Sequence, residues 1–571
     1  MQDLRQLARH SQNSVCSGFF ACLPLFRPCK KHQRLQTGRI AWLLLLLLVT
    51  GCNPSAPPPA KPTAVPAAAP REQAVDKQES ERRSSATPPN DQQSADGPVP
   101  AAILRQTWDA IYLQGQQVGY LQTTVRAVES TGRQLVRIDQ ETEQSLRRGQ
   151  DVVKQRILLT SLETPDGQIV RCESQLLGGE QAQTCRVTVD NGQARLETTT
   201  AGKTTQEALK WPADVRGFLA IEQSLAEKPL EPGEIRTFKS FVPLLNQIGE
   251  MELTARDRET VDVAGNEMEL LRVEIKTRLP DQELPTQISW IDRTGEQVKS
   301  KLDLLDYVTV RTTKEVALGQ IEPGAVDINV SSMVRIKKPA KSPHGAQRAK
   351  YHIRLKRSDP AATFATGASQ AIEPVDDRTA DVTVMAIRPG QVLQKDPAPD
   401  AAETKGDTAP NNLIQSDDPA IVAMAQEAIG PLTDPWEQAA ALTQYVHKAI
   451  QLKDYRSALA TAAEVARTRS GDCTEHAVLL AALARASGLP ARVAMGLVYV
   501  ERESAFMFHM WTEIFVNDTW IPLDGTLGTA GIGCGHIKLL RSNLEGGNAY
   551  SSLLPVANVL GQIEIEVLEV E

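Results

Sequence analysis

The sequence predicts a multidomain chain: antiparallel β-rich N-terminal domains followed by an α+β C-terminal domain. At 571 residues the chain is too long for one hydrophobic core, so two to four domains are expected. From Trp108 to about Gln320 short apolar runs are broken by turn signals: Pro165-Asp166-Gly167, Gly178-Gly179, Asp190-Asn191-Gly192, Ala264-Gly265-Asn266 and Arg293-Thr294-Gly295. Beyond Asp434 the apolar spacing changes to that of helices, and a strand pair follows.

Residues 1–40 are basic and irregular, and Ala41-Trp42 with Leu43 to Leu48 form a short apolar block ending Val49-Thr50-Gly51-Cys52. The block is shorter than the roughly 20 apolar residues a membrane span needs. It suits a signal-peptide core, and its last four residues resemble a bacterial lipobox, which implies that Cys52 becomes the lipidated first residue of the mature protein. Residues 1–52 are therefore expected to be a signal peptide. The basic stretch before the leucines is longer than most such leaders, which points to a translation start downstream of Met1. Cys16, Cys22 and Cys29 would be lost on processing. Residues 53–100, rich in Pro, Ala, Gln and Ser, cannot bury a core and read as a disordered tether. The expected location is the bacterial cell envelope, on its periplasmic or surface side, with the membrane as a partner through the lipid anchor. A net charge of −8 gives no basic surface of the kind that marks a nucleic-acid partner.

Residues 101–322 are expected to form a large antiparallel β domain, curved or half-barrel. Alternation is clearest in Val118 to Val125 and Gln287 to Asp292, and a helix is expected near Pro212 to Leu225. Residues 323–395 read as a smaller β unit, with strands in Ala325 to Ile336, Lys350 to Leu355 and Ala380 to Ile387. Within it Lys337 to Gln347 reads as a surface loop, and His344 and His352 have no partner legible in the sequence. Residues 396–414 read as a linker. If Gly178-Gly179 is a two-residue hairpin loop, residue 177 pairs with 180 and Cys172 falls opposite Cys185. A non-hydrogen-bonded pair of that kind has Cα atoms about 4.5 Å apart. A cross-strand disulfide is thus the expectation, with two free thiols as the alternative.

Residues 415–571 carry the chemistry. Asp434-Pro435 opens a helix that runs to about Gln451 with a capping residue and a proline at its first position. His447 on it reads as structural or exposed. A second helix spans Ala458 to Thr468. Arg469-Ser470-Gly471-Asp472 is then a turn that delivers Cys473 to the start of an apolar helix reaching Ala486 and stopped by Gly488 and Pro490. Helix starts carry unpaired N–H groups and the positive end of the dipole, which favours a thiolate. Downstream, Ala491 to Val500 is β-rich. If Asn517-Asp518 is a two-residue loop, residue 516 pairs with 519, His509 falls opposite Thr526, and Asp524 shares its face on a diagonal. Cysteine, imidazole and carboxylate divide the work of acyl transfer from an amide. The imidazole takes the thiol proton and returns it to the leaving amine; the carboxylate orients the ring; the Cys473 N–H can hold the oxyanion.

Four stretches in order, Arg469-Ser470-Gly471-Asp472-Cys473-Thr474-Glu475-His476-Ala477, Arg485-Ala486-Ser487-Gly488-Leu489-Pro490-Ala491-Arg492, His509-Met510-Trp511-Thr512-Glu513 and Trp520-Ile521-Pro522-Leu523-Asp524, resemble the transglutaminase-like domain of bacterial cysteine enzymes. The resemblance covers roughly residues 415–571. It implies a papain-like α+β core with Cys473 as nucleophile, His509 as base and Asp524 as orienting acid, acting on a protein or peptide substrate. It also implies a second oxyanion donor upstream, for which Tyr455 is the candidate, while His476, one turn from Cys473, could assist or border the cleft. The family includes crosslinkers, peptidases, amidases and inactive binding versions, so a non-catalytic envelope scaffold with a degenerate module is the alternative. No cofactor is expected. A zinc site would need Cys534 and His536 to join Cys473 and His476 at spacings that match no common zinc pattern, and no EF-hand type loop is present for calcium.

Overall fold

The computed structural model describes residues 102–130, 132–177, 183–200, 202–302, 304–319, 321–388, 406–452, 459–529, 531–545 and 554–571. The expected signal peptide with Cys52, the tether, Tyr455 and the first part of the expected linker lie outside the described residues. No helix among the described residues is long and apolar enough to cross a membrane.

The chain has a strand-rich N-terminal region followed by a C-terminal region of helices and sheets. Fifteen strands make one sheet. Eight of them run as a meander from Ala102–Leu113 out to Lys203–Lys210. The chain then returns through Ile235–Val242 to Tyr307–Thr312, whose pairing with Ala102–Leu113 joins the two halves. Local chemistry fixes this register. Asn191-Gly192 and Ala264-Gly265 each take positive φ at both positions (49° and 76°; 52° and 85°), the two-residue hairpin geometry that matches strand twist. They pair Asp190 with Gln193 and Val263 with Asn266.

The expected helix forms at Phe218–Glu227, slightly later than its sequence signal. Its capping residue, Gly217, has no side chain to offer, and a carboxylate from a strand takes the role. Glu163 accepts from the N–H groups of Phe218 (3.0 Å) and Leu219 (2.9 Å) and from the Ser161 hydroxyl (2.6 Å). A Cβ at residue 217 would stand 2.2 Å from that carboxyl carbon, so glycine is required by space. Burial pushes the Glu163 carboxyl up to about 7. A raised folded-state value means that this contribution is present below 4.5 and is lost as pH rises through about 7. Glu163→Ala strands two buried donors and is expected to cost on the order of 3 kcal/mol, read as a lower urea midpoint.

The predicted Cys172–Cys185 disulfide is not formed: both residues are buried free thiols. The observed register pairs Leu176 with Gln183, two residues out from the two-residue-loop expectation. Cys172 therefore faces Val187, and Ser174 faces Cys185. Cys185 instead accepts from the Asn246 amide at 3.2 Å. Burial raises both thiols above their ordinary range.

The strands of residues 323–395 do not close on themselves. Arg348–Leu355, Gln370–Asp376 and Thr379–Met385 complete a four-stranded sheet with the C-terminal strand Ile563–Val570. His352, unpartnered in the sequence reading, meets the Asp381 carboxylate at 2.7 Å. Val334–Arg335 pairs instead with Ala505–Val516 of the C-terminal region. The expected surface loop from Lys337 to Gln347 is in part packed: Ala340 donates to the Tyr499 hydroxyl (3.1 Å), and His344 Nε2 meets the Tyr499 carbonyl (2.7 Å). Residues 406–414, expected as linker, are also packed, with Leu413 and Ile414 buried and Arg485 donating to the Ala409 carbonyl at 2.6 Å.

In the C-terminal region the helices Pro419–Ile429, Pro435–Ala449 and Ala462–Thr468 surround Cys473–Ala486. The last is buried from Cys473 to Arg485, as its all-round apolar sequence predicts. It packs on the strands Ala491–Val500 and Ala505–Val516. His536–Ser542 and Thr519–Leu523 complete that sheet with Val334–Arg335.

Candidate functional site

Cys473 is placed by an unusually well-satisfied helix start. Asp472 caps the helix through Oδ1, which accepts from the Thr474 N–H and hydroxyl, both at 2.8 Å. Glu475 reaches back to the Asp472 N–H at 2.9 Å and completes a capping box. Gly471 sits at φ 152°, and a Cβ there would stand 2.3 Å from the Glu475 Cβ. Burial, with the adjacent Asp472 carboxylate second, raises the Glu475 carboxyl. The far oxygen of Asp472 receives the Arg148 guanidinium at 2.8 Å, with both side chains buried. Arg148 ends the strand Arg133–Arg148, next to the Gly149-Gln150 hairpin turn of the fifteen-stranded sheet. The N-terminal sheet thus braces the residue that precedes Cys473.

His509 and Asp524 are placed by a hairpin. Asn517 and Asp518 both take positive φ (51° and 64°), and Val516 pairs with Thr519, the register expected from sequence. His509 Nε2 meets Asp524 Oδ2 at 2.8 Å. The other oxygen, Oδ1, accepts the backbone N–H groups of Thr526 (2.8 Å) and Leu527 (3.2 Å). These bonds orient the carboxylate.

A third side chain joins that pair. His536 Nε2 lies 3.0 Å from the same Asp524 Oδ2. Sequence reading considered His536 only as a metal ligand. Its place was illegible because it comes from the pairing of His536–Ser542 with Ala491–Val500, not from the Asn517-Asp518 hairpin.

Cys473, His509, Asp524 and His536 are all buried, between 0% and 3% exposed. The largest influence on His509 is burial, which opposes its charge. The Asp524 carboxylate and the neighbouring Cys473 thiol outweigh it and raise the imidazole to about 10. The Cys473 thiol acts on His509 both through charge and through a side-chain hydrogen bond. For His536 burial prevails over the same carboxylate and lowers the imidazole to about 4. Asp524 is held well below the usual carboxylate range: burial opposes this, and the two imidazoles overcome it. The pH consequences follow by sign. The His509 contribution to stability is present below 6.5 and lost as pH rises through about 10. The His536 contribution is present above 6.5 and lost as pH falls through about 4. A urea midpoint measured against pH should therefore fall at both limits, and His536→Gln should flatten the acid side.

The donor atoms of His509, Asp524 and His536 lie within 4.8 Å of one another, so this set could in principle hold a metal ion. Both imidazole nitrogens, however, already face one carboxylate oxygen at hydrogen-bond distance, which fits a proton-bonded cluster better than a ligand shell. The zinc set considered from sequence does not converge. His476 Nδ1 lies 2.5 Å from the Asp472 carbonyl, and the Cys534 thiol donates to the Ala346 carbonyl at 3.4 Å. His476 therefore serves its own helix start. Burial raises Cys534 to about 11. His447 is exposed, with Nδ1 3.1 Å from the Thr526 carbonyl. Glu513, in the stretch that carries the sequence resemblance, is buried between Lys538 (2.6 Å) and Arg492 (2.9 Å), with the Arg492 guanidinium 3.7 Å over the Trp520 ring. Burial opposes the charge of Glu513, but the two cations bring the carboxyl down to about 2, so its role is that of a structural ion pair.

Residues 422–525 match the model of the transglutaminase-like superfamily. A search of curated proteins finds no match. Among solved structures, the chain is similar to a proposed cysteine protease from Cytophaga hutchinsonii, at 18% identity and a TM-score of 0.27, over 40% of this chain and 89% of that one. It is also similar to the periplasmic domain of TgpA from Pseudomonas aeruginosa, at 17% identity and a TM-score of 0.20, over 33% of this chain and 92% of that one. The chain carries, over residues 422–525, a domain of the transglutaminase-like superfamily.

Proposed function

We propose that the chain is a cysteine enzyme that opens amide bonds of proteins or peptides through a Cys473 acyl-enzyme. The observation that carries this reading is the His509–Asp524 hydrogen bond at 2.8 Å, beside a cysteine at the first turn of a buried helix. The Cys473 sulfur attacks the amide carbon with the thiol proton already held on His509, whose imidazole is raised to about 10. The Cys473 N–H, at the positive end of the helix dipole, steadies the oxyanion. The tetrahedral adduct collapses, the amine leaves with the proton from His509, and a thioester remains. Water as acceptor completes hydrolysis or deamidation; an amine completes a crosslink. Asp524 keeps Nε2–H of His509 engaged, so that Nδ1 is the nitrogen that holds the thiol proton and returns it to the leaving amine. The second oxyanion donor falls to Tyr455 in this proposal.

The test is alkylation by a thiol-directed probe at neutral pH, followed by a screen of Gln-containing peptides with and without a labelled amine, read by mass. Rapid labelling that Cys473→Ala removes supports the reading; equal labelling of both proteins refutes it. One observation favours the second reading, a non-catalytic scaffold: Cys473 and Asp524 are 0% exposed. An intact fold with neither labelling nor turnover would decide for the scaffold.

We further propose that Cys52 carries a lipid anchor that holds the protein at the bacterial envelope, on the support of the apolar run ending Val49-Thr50-Gly51-Cys52. Cys52→Ser is expected to move the protein from the membrane fraction to the soluble fraction in cells that process lipoproteins. An unchanged membrane fraction would argue against the anchor.

A further inference from the structure

The Asp524 Oδ2 atom is approached by two imidazoles, and only one of them has a part in the chemistry above. His509 Nε2 lies at 2.8 Å and His536 Nε2 at 3.0 Å, while Oδ1 is occupied by two backbone N–H groups. We propose that His536 is a positioning residue that acts through Asp524: it shares the charge of Oδ2 and so limits how tightly the carboxylate holds the proton of His509. The inference rests on the reading of Cys473 and His509 as nucleophile and base.

Three features support a neutral, donating role for His536. Its Nδ1 is buried without a hydrogen-bond partner, which costs little for a lone pair and much for an N–H, so the proton belongs on Nε2. Its ring is fixed by neighbours: His344 and Trp511 each meet it edge to face, with centroids 5.6 and 5.3 Å away. The chain around it is built to admit that packing, because a Cβ at Gly535 would stand 2.5 Å from the His344 ring. The titratable groups that face it are Asp524, His509 and His344, and burial outweighs the carboxylate to keep it uncharged at neutral pH.

The consequence for the reaction follows from hydrogen-bond competition. An imidazolium at His509 must release its proton to the leaving amine. A carboxylate oxygen shared with a neutral donor is a weaker acceptor than one devoted to His509 alone, because each bond draws on the same charge. Removing the His536 N–H should strengthen the His509–Asp524 pair. The proton would then be held to higher pH and returned to the leaving group more slowly.

Two variants separate this role from packing. His536→Phe keeps a ring and removes the donor; His536→Gln keeps an N–H donor. The readouts are the titration midpoint of His509, followed by NMR of ring-labelled histidine in the full chain, and the pH profile of Cys473 alkylation. The Phe variant is expected to raise the His509 midpoint by about one pH unit, roughly a tenfold change in proton affinity. The Gln variant should stay close to the wild-type value. An unmoved midpoint in the Phe variant, or equal shifts in both variants, would overturn the proposal. If the Phe variant does not fold, His536→Met serves as the donor-free comparison. The NMR midpoint does not depend on turnover, so an inert Cys473 would refute the enzyme reading while still testing the coupling of His536 to His509.

Discussion

Asp524→Asn is expected to slow acyl transfer by about 10⁴-fold, the order of loss seen when the carboxylate of a catalytic triad becomes an amide. Asparagine can keep its oxygen toward the N–H groups of Thr526 and Leu527, which now bind Oδ1 at 2.8 and 3.2 Å, so the turn after the hairpin should survive. Its amide nitrogen would then face two imidazole nitrogens that need an acceptor. His509 can bond that amide only by presenting a lone pair at Nε2. Its proton must move to Nδ1, where it cannot accept the proton of the Cys473 thiol. The substitution also removes the charge that holds His509 near 10, so the alkaline limb of Cys473 alkylation should move to lower pH. A variant that keeps its urea midpoint and loses its alkylation rate is the expected result. One that keeps both would show that Asp524 does not orient His509.

Arg148→Ala is expected to cost about 3–5 kcal/mol, because it leaves the Asp472 carboxylate buried without its cation. The cost should be read from urea unfolding and compared with Asp472→Asn and the double variant. The double variant is predicted to be more stable than Arg148→Ala alone, since the unpaired charge is then absent. Asp472 also caps the Cys473 helix. Loss of Arg148 should therefore loosen the first helical turn and reduce alkylation of Cys473, although Arg148 is 324 residues away in the chain. A merely peripheral β domain would give no such coupling.

What the sequence disclosed follows from the range over which each feature is determined. The Cys473 helix start was legible because capping and helix termination are set within a few residues. The side-by-side placing of His509 and Asp524 was legible because one two-residue turn fixes the register of the strands that hold them. The same reasoning failed for Cys172 and Cys185, where the assumed Gly178-Gly179 loop gave a register two residues from the one observed. His536 was recognised as a chemically capable residue, but its neighbours depend on a strand pairing between distant segments. Arg148 gave no sequence signal, because nothing in a hairpin turn of a remote sheet marks the carboxylate it will meet. The strand Ile563–Val570 alternates apolar residues with glutamate over much of its length, yet its partner Arg348–Leu355 lies in another part of the chain.

The central claim is that Cys473 forms a thioester which His509 and Asp524 help to make and break. It is tested most directly by the intact mass of the full chain, quenched in acid during exposure to a reactive amide substrate found in the peptide screen. An acyl adduct that maps to Cys473, vanishes in Cys473→Ala and is strongly reduced in His509→Ala is the predicted result. Turnover that continues in Cys473→Ala, or an adduct that forms equally well without His509, would contradict it.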